Sequence, residues 1–163
     1  MKKARCVAHG QANAPGPTFF TALITFSVPL NGSVHFNNAN DITTIFSRVT
    51  GGNASHIQGL LRTNGTADLF LMNPAGIIFS ENVALDIGGS FFATTAENLI
   101  FGEDLHFSAI HPTHDVPLPT MNVTPGLQMG RQSKAITVNG PGHLTLVVAL
   151  IRLSIRGPFQ GYR

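Results

Sequence analysis

The stretch that decides the fold runs from Ser47 to Phe101: SRVTGGNASHIQGLLRTNGTADLFLMNPAGIIFSENVALDIGGSFFATTAENLIF. Short apolar runs, at Ile57 to Leu61, Leu69 to Met72, Ile77 to Phe79, Val83 to Ile87 and Phe91 to Ala93, alternate with small Asn/Gly/Pro/Thr clusters and show no helical period. This is the pattern of short strands joined by tight corners. Asn64-Gly65, Asn73-Pro74-Ala75-Gly76 and Gly88-Gly89 place residues tolerant of unusual φ where the chain must turn, and Pro74 sets φ at its bend.

The runs recur at a nearly fixed interval. Ile57, Phe79 and Phe101 are spaced 22 residues apart, as are Leu69 and Phe91. A coil of that length cannot bury its inward face alone and must stack on its neighbour, so the period predicts a solenoid. The all-apolar Leu69 to Met72 suits a strand covered on both faces, and Val83 to Ile87, interrupted by Asp86, suits one with a wet face. A right-handed parallel β-helix accommodates both. Ile57, Leu61, Leu69, Leu71, Ile77, Phe79, Leu85, Ile87, Phe91 and Phe101 are then expected to share one continuous core.

Working outward, Phe20, Ala22, Ile24, Phe26, Val28 and Leu30 fall on alternate positions, as in a strand with one buried face. Asn31-Gly32 could join that strand to Val34 and Phe36 as an antiparallel hairpin capping the amino end. Ile42, Ile45, Phe46 and Val49 fit a single helical turn or an irregular packed segment. Residues 1–17, rich in Ala, Gly and Pro, read as a disordered leader. They carry the cations of a signal peptide (Lys2, Lys3, Arg5) without its apolar core.

The same residues carry a specific resemblance. Ser47-Arg48-Val49-Thr50-Gly51-Gly52-Asn53, Gly59-Leu60-Leu61, Ala67 to Leu71, Asn73-Pro74-Ala75-Gly76-Ile77 and Leu85-Asp86-Ile87-Gly88-Gly89-Ser90-Phe91 resemble the amino-terminal domain of two-partner-secretion exoproteins. These form the filamentous-haemagglutinin family, also called the haemagglutination activity domain family. Its Asn-Pro-Asn-Gly-Ile motif appears here with Ala75 in place of the second Asn. Weaker similarity extends through Phe20 to Phe36, Pro125 to Gly130 and Ile136 to His143, about three-quarters of the chain in all.

The resemblance implies a domain over residues 18–146 that fronts a longer secreted adhesin or haemagglutinin of a Gram-negative bacterium. It implies passage through the periplasm unfolded, recognition by the POTRA modules of an outer-membrane β-barrel transporter, and folding outside as a template for following coils. It assigns transporter recognition to Asn73 through Ile77, and family-motif status to Ser47, Arg48, Val49, Thr50, Gly51, Asp86, Gly88, Gly89, Ser90 and Phe91. It also implies a downstream β-helical exoprotein with a host-surface carbohydrate or protein receptor. Residues 147–163 depart from the family pattern and read as a divergent, loosely attached tail of low order from about Gly157, as in a truncated or frame-disrupted copy.

Composition narrows the function classes. The chain of 163 residues is 43% hydrophobic and 11% charged, which suits one domain with a large core. Its net charge of +2 comes largely from cations near the two ends, leaving no basic face for nucleic acid. A single cysteine, Cys6, allows neither an internal disulfide nor a cysteine zinc site. The run Leu144 to Ile151 is too short to span a membrane as a helix. Asn-x-Ser/Thr sequons at Asn31, Asn53, Asn64 and Asn122 are ascribed to chance in an Asn/Gly/Thr-rich chain.

Two constellations invite chemistry. His106, His111 and His114 with Asp104 and Asp115 could be grouped into a metal site, but their spacing around Pro112 fixes no common face, and a solvated loop is the reading. Asp41, Asp68 and Asp86 could suggest a polysaccharide lyase or hydrolase on a β-helix. They stand singly beside turns, without a paired acid or a Lys/Arg base. No catalytic residue and no cofactor is therefore expected, with a carbohydrate-active β-helix enzyme and an inactive structural remnant as the alternatives. Asn73 has a plain role too, as the acceptor of an Asx-turn at a partly exposed corner, where truncation to Ala would cost about 1 kcal/mol.

Overall fold

The computed structural model describes residues 8–9, 18–101, 105–111, 126–139 and 150–153. Fifteen strands form among them, and no helix: β1 (Ala8–His9), β2 (Thr18–Leu23), β3 (Ser33–Phe36), β4 (Thr44–Val49), β5 (Ser55–Ile57), β6 (Leu60–Thr63), β7 (Asp68–Met72), β8 (Ile77–Phe79), β9 (Ala84–Asp86), β10 (Phe91–Thr94), β11 (Asn98–Phe101), β12 (Leu105–Ser108), β13 (Gly126–Gln128), β14 (Ile136–Val138) and β15 (Leu150–Leu153). The chain winds as a parallel β-helix. Strands β2, β4, β7 and β10 stack in parallel on one face, β5, β8 and β14 on a second, and β3, β6 and β9 on a third.

The 22-residue interval is the stacking register itself. Ile57 pairs with Phe79 and Leu69 with Phe91 in adjacent coils. Inside the coils, Val34, Ile45, Ile57, Leu61, Leu69, Leu71, Ile77, Phe79, Leu85, Ile87, Phe91 and Ile136 form one buried cluster. Each fully buried Leu or Ile there contributes about 1.5 to 3 kcal/mol of transfer free energy, which makes this column the chief stabilising term.

Phe101 is buried but belongs elsewhere, a correction to the expected single core. After β10 the chain leaves the helix, and β11 pairs antiparallel with β12 and β13 in a separate lateral sheet. Phe79 finds its next-coil partner in Val138 of β14. The recurrence at Phe101 therefore matches a spacing and not a stack. Phe101, Phe107, Leu99, Phe46 and Met72 form a second core between the lateral sheet and the outer face of the helix. This second cover explains the all-apolar Leu69 to Met72: Leu69 and Leu71 face the helix interior, while Met72 and Phe70 pack under the lateral sheet.

The amino end differs in detail from the alternation expected there. Strand β2 ends at Leu23, and the chain bends so that Leu23, Phe26 and Val28 point inward while Ile24 and Leu30 are exposed. Asn31-Gly32 is a coil corner and not the expected hairpin: Asn31 adopts φ 59°, Gly32 N–H donates to the Pro29 carbonyl, and β3 runs on to pair in parallel with β6. The antiparallel pair at this end is β1 on β2. Ile45, Phe46 and Val49 form neither a helical turn nor an irregular segment but the central strand β4. Buried on both faces, β4 lacks the alternation that would have marked it.

At the other end β15 pairs antiparallel with β10. The leader apart from β1, Cys6, Asn122, Pro125, the stretch 140–149 and the tail from Gly157 lie outside the described residues.

Candidate functional site

The corner Asn73 to Ile77 follows β7 and opens β8. Asn73 is fully buried, which corrects the partly exposed site expected for it. Its side-chain oxygen accepts from the Ala75 N–H at 3.0 Å, the Asx-turn that shapes the bend. Its side-chain nitrogen donates to the Asn53 carbonyl at 3.0 Å and to the Ser55 hydroxyl at 2.9 Å, both one coil back. Its backbone N–H donates to the Thr94 carbonyl, one coil forward. One residue thus ties three coils.

The rest of the motif completes the bend. Pro74 is buried, Ala75 is half-buried, and Gly76 adopts φ 111°, a conformation that only glycine takes without strain. The Gly76 carbonyl accepts from Ser55 N–H, and the Pro74 carbonyl accepts from Lys134 N–H at 2.8 Å. The Ile77 N–H reaches the Ala135 carbonyl at 3.4 Å.

The other positions that the sequence resemblance singles out are contact points between coils or with the lateral sheet. Ser47 and Val49 line the interior from β4. Arg48 faces the opposite way, with its guanidinium 4.5 Å from the Phe107 ring centroid and Nη1 donating to the Ser108 carbonyl at 2.9 Å. Thr50 donates to the Leu23 carbonyl from both its N–H and its hydroxyl, and Gly51 N–H donates to the Ile24 carbonyl. A side chain at Gly51 would collide with that carbonyl.

Gly88 and Gly89 were expected to supply φ freedom, yet neither adopts a positive φ. They supply space: a Cβ at Gly88 would collide with the Gly65 carbonyl, and one at Gly89 with Ala67 and the Asp68 carboxylate. Ser90 N–H donates to Asp68 Oδ1, and Leu69 N–H to the Ser90 carbonyl. Phe91 is buried opposite Leu69. Asp86 is exposed and pairs with Arg62 at 2.6 Å, a surface ion pair of small energetic weight.

The structure thus joins the motifs two by two. The segment Ser47 to Asn53 leads into the residues that hold Asn73, and Gly88 to Ser90 closes on Ala67 and Asp68. Asp41 is exposed, Asp68 is occupied by Ser90, and Asp86 lies on a different face from Asp68. These carboxylates form no acid pair of the kind glycoside hydrolysis uses. Of the histidine group, His106 and His111 are exposed, while His114, Asp104 and Asp115 lie outside the described residues. Among the described residues no three His, Cys, Asp or Glu converge as a metal site.

Sequence reasoning missed Ser55 and Glu97, and read Asn64 only as a turn former. Asn37, Asn38 and Asn64 stack at another corner: Asn64 N–H donates to Asn38 Oδ1 at 2.9 Å, and Asn64 Nδ2 donates to Asn37 Oδ1 and the Asn38 carbonyl. The signal was an asparagine at the strand end in successive coils. Ser55 and Glu97 carried no such signal, because their partners are 18 and 35 residues away.

These coil-to-coil corners coincide with a known domain pattern, for the chain matches the TPS (two-partner secretion) secretion domain over residues 6–157. The chain belongs to the TPS secretion domain family. It is also 38% identical over 73 residues to the heme/hemopexin-binding protein of Haemophilus influenzae strain ATCC 51907 / DSM 11121 / KW20 / Rd. A second Haemophilus influenzae heme/hemopexin-binding protein is 36% identical over 73 residues. Each match covers 45% of this chain and 8% of the relative, so the aligned stretch is a small part of those proteins.

Proposed function

We propose that this TPS domain is the secretion signal and folding nucleus of a longer exoprotein, with no catalytic role of its own. In this reading the POTRA modules of an outer-membrane β-barrel transporter engage the chain while it is extended. The observation that carries the proposal is the burial of Asn73 and Pro74 among three coils. A motif so enclosed offers a partner almost nothing in the folded domain but is fully displayed in the extended chain. Folding therefore withdraws the signal, and the transporter loses its grip as the first coils form outside. Coil stacking in sequence order then makes export directional without an external energy source.

The exoprotein behind the domain is proposed to be secreted or held at the surface of a Gram-negative cell. A filamentous-haemagglutinin-type adhesin with a host carbohydrate or protein receptor is one form it takes in the family. Heme or hemopexin capture is a second reading, which the names of the two relatives support.

The test is export of the full chain behind a signal peptide, co-expressed with a TPS transporter. Asn73→Ala should reduce the exported yield severalfold. Leu71→Ala, destabilised in the core with the motif intact, should be exported far better. Equal losses in the two variants would make stability, and not the motif, the quantity that export reads. Failure of the unmutated chain to cross would overturn the proposal.

A further inference from the structure

The parallel helix is interrupted between β10 and β14, and the chain must return from the lateral sheet to the correct register on β8. Glu97 stands at the neck of this excursion. It is 8% exposed, an unusual place for a carboxylate. Its backbone N–H donates to the Gln128 carbonyl and its carbonyl accepts from Ala109 N–H, so it touches the outgoing and the returning strands together. Its side chain reaches further, and Oε1 accepts from the Gln132 N–H at 2.6 Å.

The returning loop is shaped around that carboxylate. A Cβ at Gly130 would fall on the Glu97 carboxyl group, so a side chain there would displace the carboxylate from its place, whereas glycine leaves it room. Gly130 N–H donates to the Ser133 hydroxyl, and Ser133 N–H donates back to the Gly130 carbonyl. The next two residues dock on the Asn73 corner: Lys134 N–H donates to the Pro74 carbonyl, and the Ala135 carbonyl accepts from Ile77 N–H. Ile136 then pairs with Ile77, and β14 lies in register on β8.

We propose that Glu97 is a positioning residue, a clasp that sets the register in which the fourth coil resumes on the Asn73 corner. The Glu97 carboxylate holds the Gln132 amide, glycine at residue 130 leaves the carboxylate its place, and the tightened loop delivers Lys134 and Ala135 to the corner. Until the clasp forms, β8 has no fourth-coil neighbour and the second face cannot extend. The clasp concerns the folded domain alone and stands whether or not the proposed transporter reading is correct.

Amide hydrogen exchange on the full chain tests this, because it reports opening strand by strand. Loss of a charge-assisted hydrogen bond should speed exchange at Ile136 to Val138 and at Ile77 by about tenfold or more in Glu97→Ala, while Leu69 to Met72 keep their protection. Glu97→Gln, which retains the acceptor oxygen, should stay near the parent. Gly130→Ala should open the same amides, and adding it to Glu97→Ala should have little further effect. Glu97 would be an ordinary core residue, and the proposal wrong, if exchange rose equally on all three faces or if β14 kept its protection in Glu97→Ala. Should Glu97→Ala fail to fold, Glu97→Asp and Gly130→Ala decide the same question, since each must loosen β14 before β7.

Discussion

Asn73 and Ser55 hold one another across adjacent coils: Asn73 Nδ2 donates to the Ser55 hydroxyl at 2.9 Å, while Ser55 N–H donates to the carbonyl of Gly76 in the same corner. The bend from Asn73 to Ile77 is therefore shaped in part by the coil before it. A corner fixed in this way depends on its predecessor and, through Asn73 N–H and the Pro74 carbonyl, on the coil that follows.

The first prediction concerns the energetic weight of that corner. Asn73→Ala would orphan the buried Ser55 hydroxyl and take a partner from the Asn53 carbonyl and the Ala75 N–H, which are less enclosed. An orphaned buried group costs about 1 to 3 kcal/mol and the two less enclosed ones cost less, so the substitution should lower stability by about 2 kcal/mol or more in urea unfolding. A loss under about 1 kcal/mol would show that the corner relaxes without this side chain.

Ser47 offers the opposite case. Its hydroxyl is buried on the inner face of β4 with no hydrogen-bond partner among the described residues, although the sequence resemblance singles the residue out. Replacing an unsatisfied polar group by a smaller apolar one removes a desolvation cost, so Ser47→Ala should be neutral or stabilising by up to about 1 kcal/mol. A clear fall in the unfolding midpoint at unchanged slope would contradict the geometry.

Two glycines separate space from backbone freedom. Gly52 adopts φ 74° with open space where a Cβ would stand, whereas Gly88 has an ordinary φ and the Gly65 carbonyl in the way. Gly52→Asn should therefore be close to neutral, because Asn tolerates the left-handed region, and Gly52→Ala should cost about 1 kcal/mol. Gly88→Ala must push two coils apart and should cost about 1 to 3 kcal/mol. Thermal unfolding of the three variants checks the order, and a Gly88→Ala milder than Gly52→Ala would reverse the assignment.

How much of this was legible follows from how far apart the partners lie. The 22-residue pairs Ile57 with Phe79 and Leu69 with Phe91 were visible because stacked coils repeat their inward residues. Asn73 was visible as a turn former, since Ala75 is only two residues on. Its burial was not, because the coils that enclose it come together only in three dimensions. The lateral sheet was hidden for a related reason. Phe101 continues the apolar spacing of the helix while its strand has left it, and a period counts residues without registering direction.

The last prediction concerns the seam between the helix and that lateral sheet. Phe20, Phe46, Phe70 and Phe92 stack along the outer face of β2, β4, β7 and β10, with ring centroids 5.1, 4.6 and 4.2 Å apart. Phe46 also meets Phe101 edge-on at 5.3 Å and Phe107 at 6.3 Å, so it belongs to the ladder and to the lateral core. Beside it on β4, Arg48 lies over Phe107 and bonds the Ser108 carbonyl. Two residues of one strand therefore hold β12. Phe46→Ala should cost about 3 to 5 kcal/mol, since it empties a packed site and removes several ring contacts at once. Arg48→Met keeps much of the bulk but strips the donor from Ser108, and should cost about 1 to 3 kcal/mol. In both variants the amides of β11 and β12 should lose exchange protection before those of β5 and β8, which lie on another face of the helix. Equal loss on all faces would mean that the lateral sheet and the helix unfold as one unit, and that the seam is no weaker than the column of aliphatic side chains inside the coils.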